Sequence, residues 1–316
     1  MLIAILLLIL GFILLIKGAD LFVDGASSTA LNFNVSKILI GLTIVAFGTS
    51  APELAVSLNA LATESPDIVW GNVVGSCITN ILLILGVAAL IKPIKFKYNT
   101  IKKELPLCLL ITSLLVILFL DIPLNEGEIN IITRSDAFVI LLFFTIFLYY
   151  LINLAKQGKD NEDDMPKFSI FKSLLFVVVG LIGIIIGSDL VVKYATEIAT
   201  ILGVSERVIA LTIVAFGTSL PELVTTIVSS RKGEQDLLMG NIIGSNIFNI
   251  CIVLGVPVAI FGKLIPTTSN PIDLLLLVGS ALLLFIFAKT HEKISKIEGI
   301  IMLLVFIVYN VLIFVI

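Results

Sequence analysis

Apolar runs of about 17 to 25 residues, divided by short charged segments, recur along the whole 316-residue chain, and that is the length a helix needs to cross a bilayer core. Backbone polar groups in lipid must be paired within the protein, so a spanning segment is either a helix or a strand of a closed barrel. These runs are too long and too rich in Leu and Ile for barrel strands, which makes the expected fold an all-α membrane protein. Composition agrees: 59% of residues are hydrophobic and 14% charged, against roughly 45–50% apolar residues in a soluble domain. Ten spans are expected near 2–27, 37–62, 69–91, 104–121, 135–155, 169–198, 206–229, 237–262, 272–288 and 297–315. The first run lacks a basic leader and is followed by Gly18-Ala19-Asp20, so it reads as a retained span.

The charges alternate between connections. Fifteen of the twenty Lys and Arg fall in odd-numbered connections, including Lys92, Lys95, Lys97, Lys102 and Lys103 in the third and Lys289, Lys293 and Lys296 in the ninth. The positive-inside rule then places odd connections in the cytoplasm and both termini outside the cell membrane. A net charge of −3 with no basic stripe argues against a nucleic-acid partner. Cys77, Cys108 and Cys251 lie in apolar runs without metal-ligand spacing and read as small buried residues. The polar connection containing Asn161-Glu162-Asp163-Asp164 lacks the glycine and spaced acids of an EF-hand and reads as a solvated linker.

The two halves align without a gap at an offset of 169 residues, Gly18–Gly86 against Gly187–Gly255. Residues Gly41 to Glu53, GLTIVAFGTSAPE, match Ala210 to Glu222, ALTIVAFGTSLPE, at eleven of thirteen positions, and GNVVGSCITN from Gly71 matches GNIIGSNIFN from Gly240 at six of ten. So long a period excludes a solenoid. Five spans per unit is an odd number, so the second copy enters the membrane from the opposite side. The expected organisation is a first five-helix repeat at 1–155, a cytoplasmic linker at 156–168 and a second, inverted repeat at 169–316. Inverted repeats are an architecture of alternating-access transport, with a site at their interface near the midplane.

The repeat is sharpest at its polar residues. Pro52 and Pro221 follow Gly48-Thr49-Ser50 and Gly217-Thr218-Ser219 and should break their helices. A broken helix in a membrane releases carbonyls that must line a cavity or find other partners. Glu53 and Glu222 come directly after the prolines, deep in apolar sequence, where an ionised group is costly and usually functional. Two matched carboxylates suggest a cation between them. Thr49, Ser50, Ser76, Asn80, Thr218, Ser219, Ser245 and Asn249 add oxygen, with no accompanying His or Cys pair. Hard oxygen ligands suit Ca²⁺ and, by the same argument, Na⁺; soft metals want sulfur or imidazole.

Blander readings accompany some of these motifs. The pairs Gly71/Gly75 and Gly240/Gly244 signal close helix packing. Intramembrane Thr and Ser often bond the backbone one turn earlier, although at the breaks Thr49 and Thr218 are expected to coordinate an ion. Asp20 and Asp189 match across the repeat and read either as caps or snorkelled charges or as ion-entry groups. An enzyme is not expected: the single histidine, His291, sits in a loop, and Ser50 has no base partner.

These residues resemble the two repeats of the calcium/cation antiporter superfamily, specifically its sodium/calcium exchanger family, as a compact prokaryotic member. Both Gly-Thr-Ser-x-Pro-Glu blocks and both Gly-Asn-x-x-Gly-Ser blocks carry the resemblance, which extends over essentially the whole chain. It implies Ca²⁺/Na⁺ exchange, with H⁺/Ca²⁺ antiport on the same fold as the alternative. It implies a core of spans two, three, seven and eight, with long spans one and six sliding across it. Glu53 and Glu222 become the chief calcium ligands, aided by the carbonyls of Ala46 and Ala215, Thr49, Thr218, Ser50, Ser219, Ser76 and Ser245, with Asn80 and Asn249 filling the remaining polar positions. Potassium-dependent relatives typically have aspartate where Asn249 stands, which argues against potassium cotransport. No cofactor and no obligate protein partner is implied; the partners are Ca²⁺, Na⁺ and the lipid bilayer.

Overall fold

The computed structural model describes residues 1–125, 127–158, 165–204, 215–267 and 270–315. In chain order its helices are α1 (Leu2–Asn32), α2 (Lys37–Thr49), α3 (Ala51–Ala62), α4 (Pro66–Ile91), α5 (Leu105–Phe119), α6 (Asp121–Asn125), α7 (Arg134–Lys156), α8 (Ile170–Ile201), the single turn α9 (Ala215–Gly217), α10 (Leu220–Lys232), α11 (Gln235–Phe261), α12 (Pro271–His291) and α13 (Lys296–Val315). Six of them, α1, α4, α7, α8, α11 and α12, are long and apolar enough to cross a membrane, and the bent pair α2–α3 is a seventh candidate. The expected span 104–121 corresponds to α5, 15 residues long, and the span 297–315 to α13. The span 206–229 is described only from residue 215 onward, and the 161–164 acidic run lies outside the described residues.

Burial separates the helices into centre and periphery. In α4 and α11, 72% and 83% of the apolar stretch is buried, against 28% and 33% in α1 and α8. Lipid therefore faces the long outer helices, whose Leu2, Ile3, Leu6, Val178, Ile182 and Ile186 are exposed. The central helices pack with α5, α7, α12 and α13 around Ile78, Leu82, Ile111, Leu115, Phe119, Ile247 and Leu277. Trp70 of α4 stacks on Phe119 of α5 with centroids 4.1 Å apart.

The outer pair, α1 and α8, touches backbone to backbone. A Cβ placed on Gly180 would lie 2.5 Å from the Phe22 nitrogen, and one on Gly187 would lie 2.5 Å from the Leu15 nitrogen. Only glycine permits this approach, and it keeps α1 and α8 in contact along their length. In the same way Gly240 and Gly244 of α11 press on α2, with a Cβ on Gly240 landing 2.5 Å from the Ile38 carbonyl. The packing expected of that glycine pair is present. Gly71 and Gly75 have no such neighbour among the described residues.

Two short antiparallel ladders close the connections: β1 (Ile94–Lys95) pairs with β4 (Lys293–Ile294), and β2 (Ile132–Thr133) pairs with β3 (Lys263–Leu264). Each joins a connection of one half to a connection of the other. The three cysteines are buried and free.

Candidate functional site

The break expected at Pro52 lies two residues before it, at Ser50. Helix α2 ends at Thr49, α3 starts at Ala51, and their axes differ by 44°. Pro52 falls in the first turn of α3, where its missing N–H is tolerated. The hinge residue Ser50 has φ −89° and ψ 5°, and Ser219, its counterpart before α10, has φ −88° and ψ 4°. Both occupy the sparsely allowed bridge region where many active-site residues sit. The C-terminal end of α2 thus presents carbonyl oxygens, while Glu53 and Glu222 sit in the first turns of α3 and α10. A carboxylate there is favoured by the helix dipole, which offsets part of the cost of placing charge in the membrane.

The acids are each 1% exposed. Ser50 donates to Glu222 Oε1 at 3.0 Å, joining the hinge of one half to the acid of the other. Glu53 Oε1, Glu53 Oε2 and Glu222 Oε2 have no hydrogen-bond partner among the described residues. The same holds for Ser245 Oγ, Asn80 Oδ1 and both amide atoms of Asn249. Buried polar atoms are otherwise nearly always paired, so such a concentration of oxygen suits an ion that takes several hard donors. Among the described residues no group of three His, Cys, Asp or Glu offers an alternative metal site.

The other expected residues fall around this pair. Ser219 donates to Ser76 Oγ at 3.3 Å. The Thr49 hydroxyl is within reach of the Val45 carbonyl at 3.1 Å, the Ala46 carbonyl at 3.4 Å and Asn241 Oδ1 at 3.2 Å. It has one proton to donate, so these contacts are alternatives, and the back-bond does not use up its lone pairs. The Ala46 carbonyl also accepts from the Ser50 N–H at 3.0 Å. Thr218 is half-buried in the second hinge, and Ala215 opens α9 just before it.

Asn80 and Asn249 sit in π-helical turns, Thr79–Ile84 and Asn249–Leu254, set into α4 and α11. A third π-turn, Gly41–Val45, leads into the first hinge. Such turns are frequent at functional sites, where the extra residue re-aims a side chain and loosens the carbonyl ladder. None is expected from the residue types.

Three further asparagines belong to the site and are missed by sequence reasoning. Asn72 donates to the Glu53 carbonyl and to Ser57 Oγ, both at 3.0 Å. Asn241, at the same place in the second half, donates to Thr226 Oγ1 at 3.3 Å. Asn246 accepts from Asn80 Nδ2 at 3.0 Å and exchanges contacts with the Cys77 backbone and thiol. The available signal is the 169-residue offset itself, which relates Asn72 to Asn241, Ser57 to Thr226 and Cys77 to Asn246. Asp20 is half-buried and pairs with Lys232 at 3.4 Å, and Asp189 is exposed.

The model of the family described as sodium/calcium exchanger protein matches residues 3–153 and 172–315. A putative antiporter, CaxA of Alkalimonas amylolytica, is 39% identical over 99% of both chains. The sodium/calcium exchanger MaX1 of Methanosarcina acetivorans is 33% identical over 98% of both. The solved structure of the sodium-calcium exchanger NCX_Mj soaked with 10 mM Na⁺ superposes with a TM-score of 0.84 at 36% identity, covering 97% of each chain.

Proposed function

The chain belongs to the sodium/calcium exchanger family, and from that premise we propose that it exchanges Ca²⁺ for Na⁺ across the cell membrane by alternating access. The family is one of multi-pass membrane transporters. The observation that carries the reading is the pair of buried glutamates at the heads of α3 and α10, three of whose four carboxylate oxygens are unpartnered among the described residues. Glu53 and Glu222 together balance one Ca²⁺, and Thr49, Thr218, Ser50, Ser219, Ser76, Ser245, Asn80, Asn249 and the carbonyls of Ala46 and Ala215 supply neutral oxygen. Six to eight such donors suit Ca²⁺. Divided among smaller sites, the same oxygens hold Na⁺, and competition for shared ligands produces exchange.

In this reading the chain has ten spans in two inverted halves, 1–155 and 169–316, with the 156–168 linker cytoplasmic and both termini outside. Support comes from bonds that repeat at the same offset: Asn72 to Ser57 in one half is echoed by Asn241 to Thr226 in the other. One strand of each ladder agrees, since 169 added to β1 gives β3. The glycine-seamed pair α1–α8 moves as one body across the α2–α4 and α10–α11 core, opening the site to each side in turn.

The test is ⁴⁵Ca uptake into proteoliposomes under imposed Na⁺, K⁺ and pH gradients in turn. Uptake is expected to follow an outward Na⁺ gradient and to ignore K⁺. Uptake that ignores Na⁺ and follows pH would assign H⁺/Ca²⁺ antiport instead.

A further inference from the structure

The β1–β4 ladder carries a charge arrangement that the site does not use. Its inner face is apolar: Ile94 and Ile294 oppose one another and are buried at 1% and 0% exposure. Side chains alternate along a strand, so the outer face presents the next pair, Lys95 opposite Lys293, both exposed. Like charges directly opposite on an antiparallel ladder are destabilising. The ladder nevertheless holds its register through the Phe96 N–H, which donates to the Glu292 carbonyl at 2.9 Å. Gln235 reinforces it, accepting from the Lys95 N–H and donating to the Pro93 carbonyl, each at 3.1 Å. Two lysines are thus pinned side by side by backbone bonds on both strands.

Further cations converge on the same place. Lys92 Nζ lies 3.1 Å from the position a Cβ on Gly233 would take, beside Arg231 and Lys232 at the end of α10. Lys289 and Lys296 flank β4 and are exposed. Of the nearby acids, Asp236, Glu234 and Glu298 are engaged by Lys97, by Lys37 and Ser27, and by the Ser295 N–H and His291, Asp20 and Asp24 pair with Lys232, and Glu292, next to Lys293, is exposed. The other ladder provides an internal comparison, for there Thr133 stands opposite Lys263 and no two cations face each other.

We propose that Lys95 and Lys293, with Lys92 beside them, form a binding site for the phosphate headgroup of an anionic phospholipid. The position commits the occupant to lipid: β1 directly follows the apolar helix α4 and β4 directly follows α12, so the ladder lies where those helices leave the bilayer. A phosphodiester seated between two ammonium groups relieves their repulsion and clamps the end of α4, which bears Ser76 and Asn80, to the end of α12.

The experiment is native mass spectrometry of the full chain from mixed micelles, comparing retained phosphatidylglycerol with phosphatidylcholine. The wild type is expected to retain phosphatidylglycerol selectively. K95Q/K293Q should lower that selectivity roughly tenfold to thirtyfold, from a contribution of about fivefold per lysine near an anionic lipid surface. K95R/K293R should restore it, and K263Q should leave it unchanged. Equal selectivity in the wild type and K95Q/K293Q, both monodisperse, would overturn the proposal. So would displacement of the lipid by millimolar inorganic phosphate, which would make the ligand a soluble anion. The readout is lipid retention, so it is independent of which ions are exchanged.

Discussion

At the residue scale the question is how two acids are tolerated in a membrane interior. Each starts a half-helix, one accepts from Ser50, and the remaining oxygens suit a divalent cation. Replacing Glu53 or Glu222 by Gln removes one of two charges facing that cation, so calcium flux is expected to fall at least about tenfold, the factor set by roughly 1.4 kcal/mol. A second measurement separates this from misfolding. Calcium should raise the melting temperature of the wild type by mass action and leave that of Glu53→Gln unmoved, while the melting temperature without calcium does not fall, since an uncompensated buried charge has been removed. A variant that still gains stability from calcium would refute the assignment. Asn72 acts one step back, holding the Glu53 backbone and Ser57. Asn72→Ala should raise the calcium concentration for half-maximal flux by about tenfold, in line with roughly 1–1.5 kcal/mol per hydrogen bond, with little change in maximal flux. Loss of maximal flux alone would point to a role other than positioning. The glutamates are legible in sequence because a carboxylate beside a proline in an apolar run has few structural excuses. Asn72, Asn241 and Asn246 are not, because an amide in a helix gives no sign of its partner until the chain is folded.

At the element scale, proline and glycine make most of the architecture readable. Pro52 and Pro221 announce the breaks because they lack an N–H, and Gly240 and Gly244 announce the contact with α2. The π-turns at Thr79–Ile84 and Asn249–Leu254 carry no such mark, since apolar residues fit a π-turn and an α-turn equally well. The α1–α8 seam lies between the two outcomes: its glycines recur every seven residues, at 11, 18 and 25 and at 180 and 187, but only the fold pairs them. A methyl group on Gly180 would strike the Phe22 backbone at 2.5 Å, and overpacking of this kind costs about 1–3 kcal/mol. Gly180→Ala should therefore lower the melting temperature and slow exchange. Gly279→Ala, where nothing lies within 4 Å among the described residues, should do neither. Equal behaviour of the two variants in a thermal-shift assay would show that α1 and α8 do not need their close approach.

At the scale of the whole molecule the two halves are alike in their site and unlike at their edges. Lys232 at the end of α10 donates to the Asp20 carbonyl at 2.8 Å and pairs with Asp24 at 2.9 Å, while Lys167 approaches Asp24 at 3.6 Å. Ser27 adds a bond from α1 to Glu234 at 2.9 Å. This polar seam ties α1, the helix that the proposed mechanism moves, to the core. Subtracting 169 from Lys232 gives Thr63, and adding 169 to Asp24 gives Lys193, so the other half has no counterpart of the acid–lysine pair. Symmetric repeats would make the two open states nearly equal in energy, and a latch on one face only makes them unequal. The groups are a quarter or more exposed, so the bias is modest, about 0.2–1 kcal/mol for a pair of this kind. It should also weaken as salt screens it. Lys232→Thr, which copies the other half, is expected to raise thiol labelling of Thr226→Cys, on α10 between Glu222 and Lys232, about twofold to fivefold when reagent is supplied from the Lys232 face, in a background without the three native cysteines. Raising ionic strength should increase labelling in the Lys232 protein and have little effect on Lys232→Thr. Labelling that is the same in both proteins at every salt concentration would mean that this seam does not hold the face closed, and that any asymmetry of exchange arises within the ion site itself.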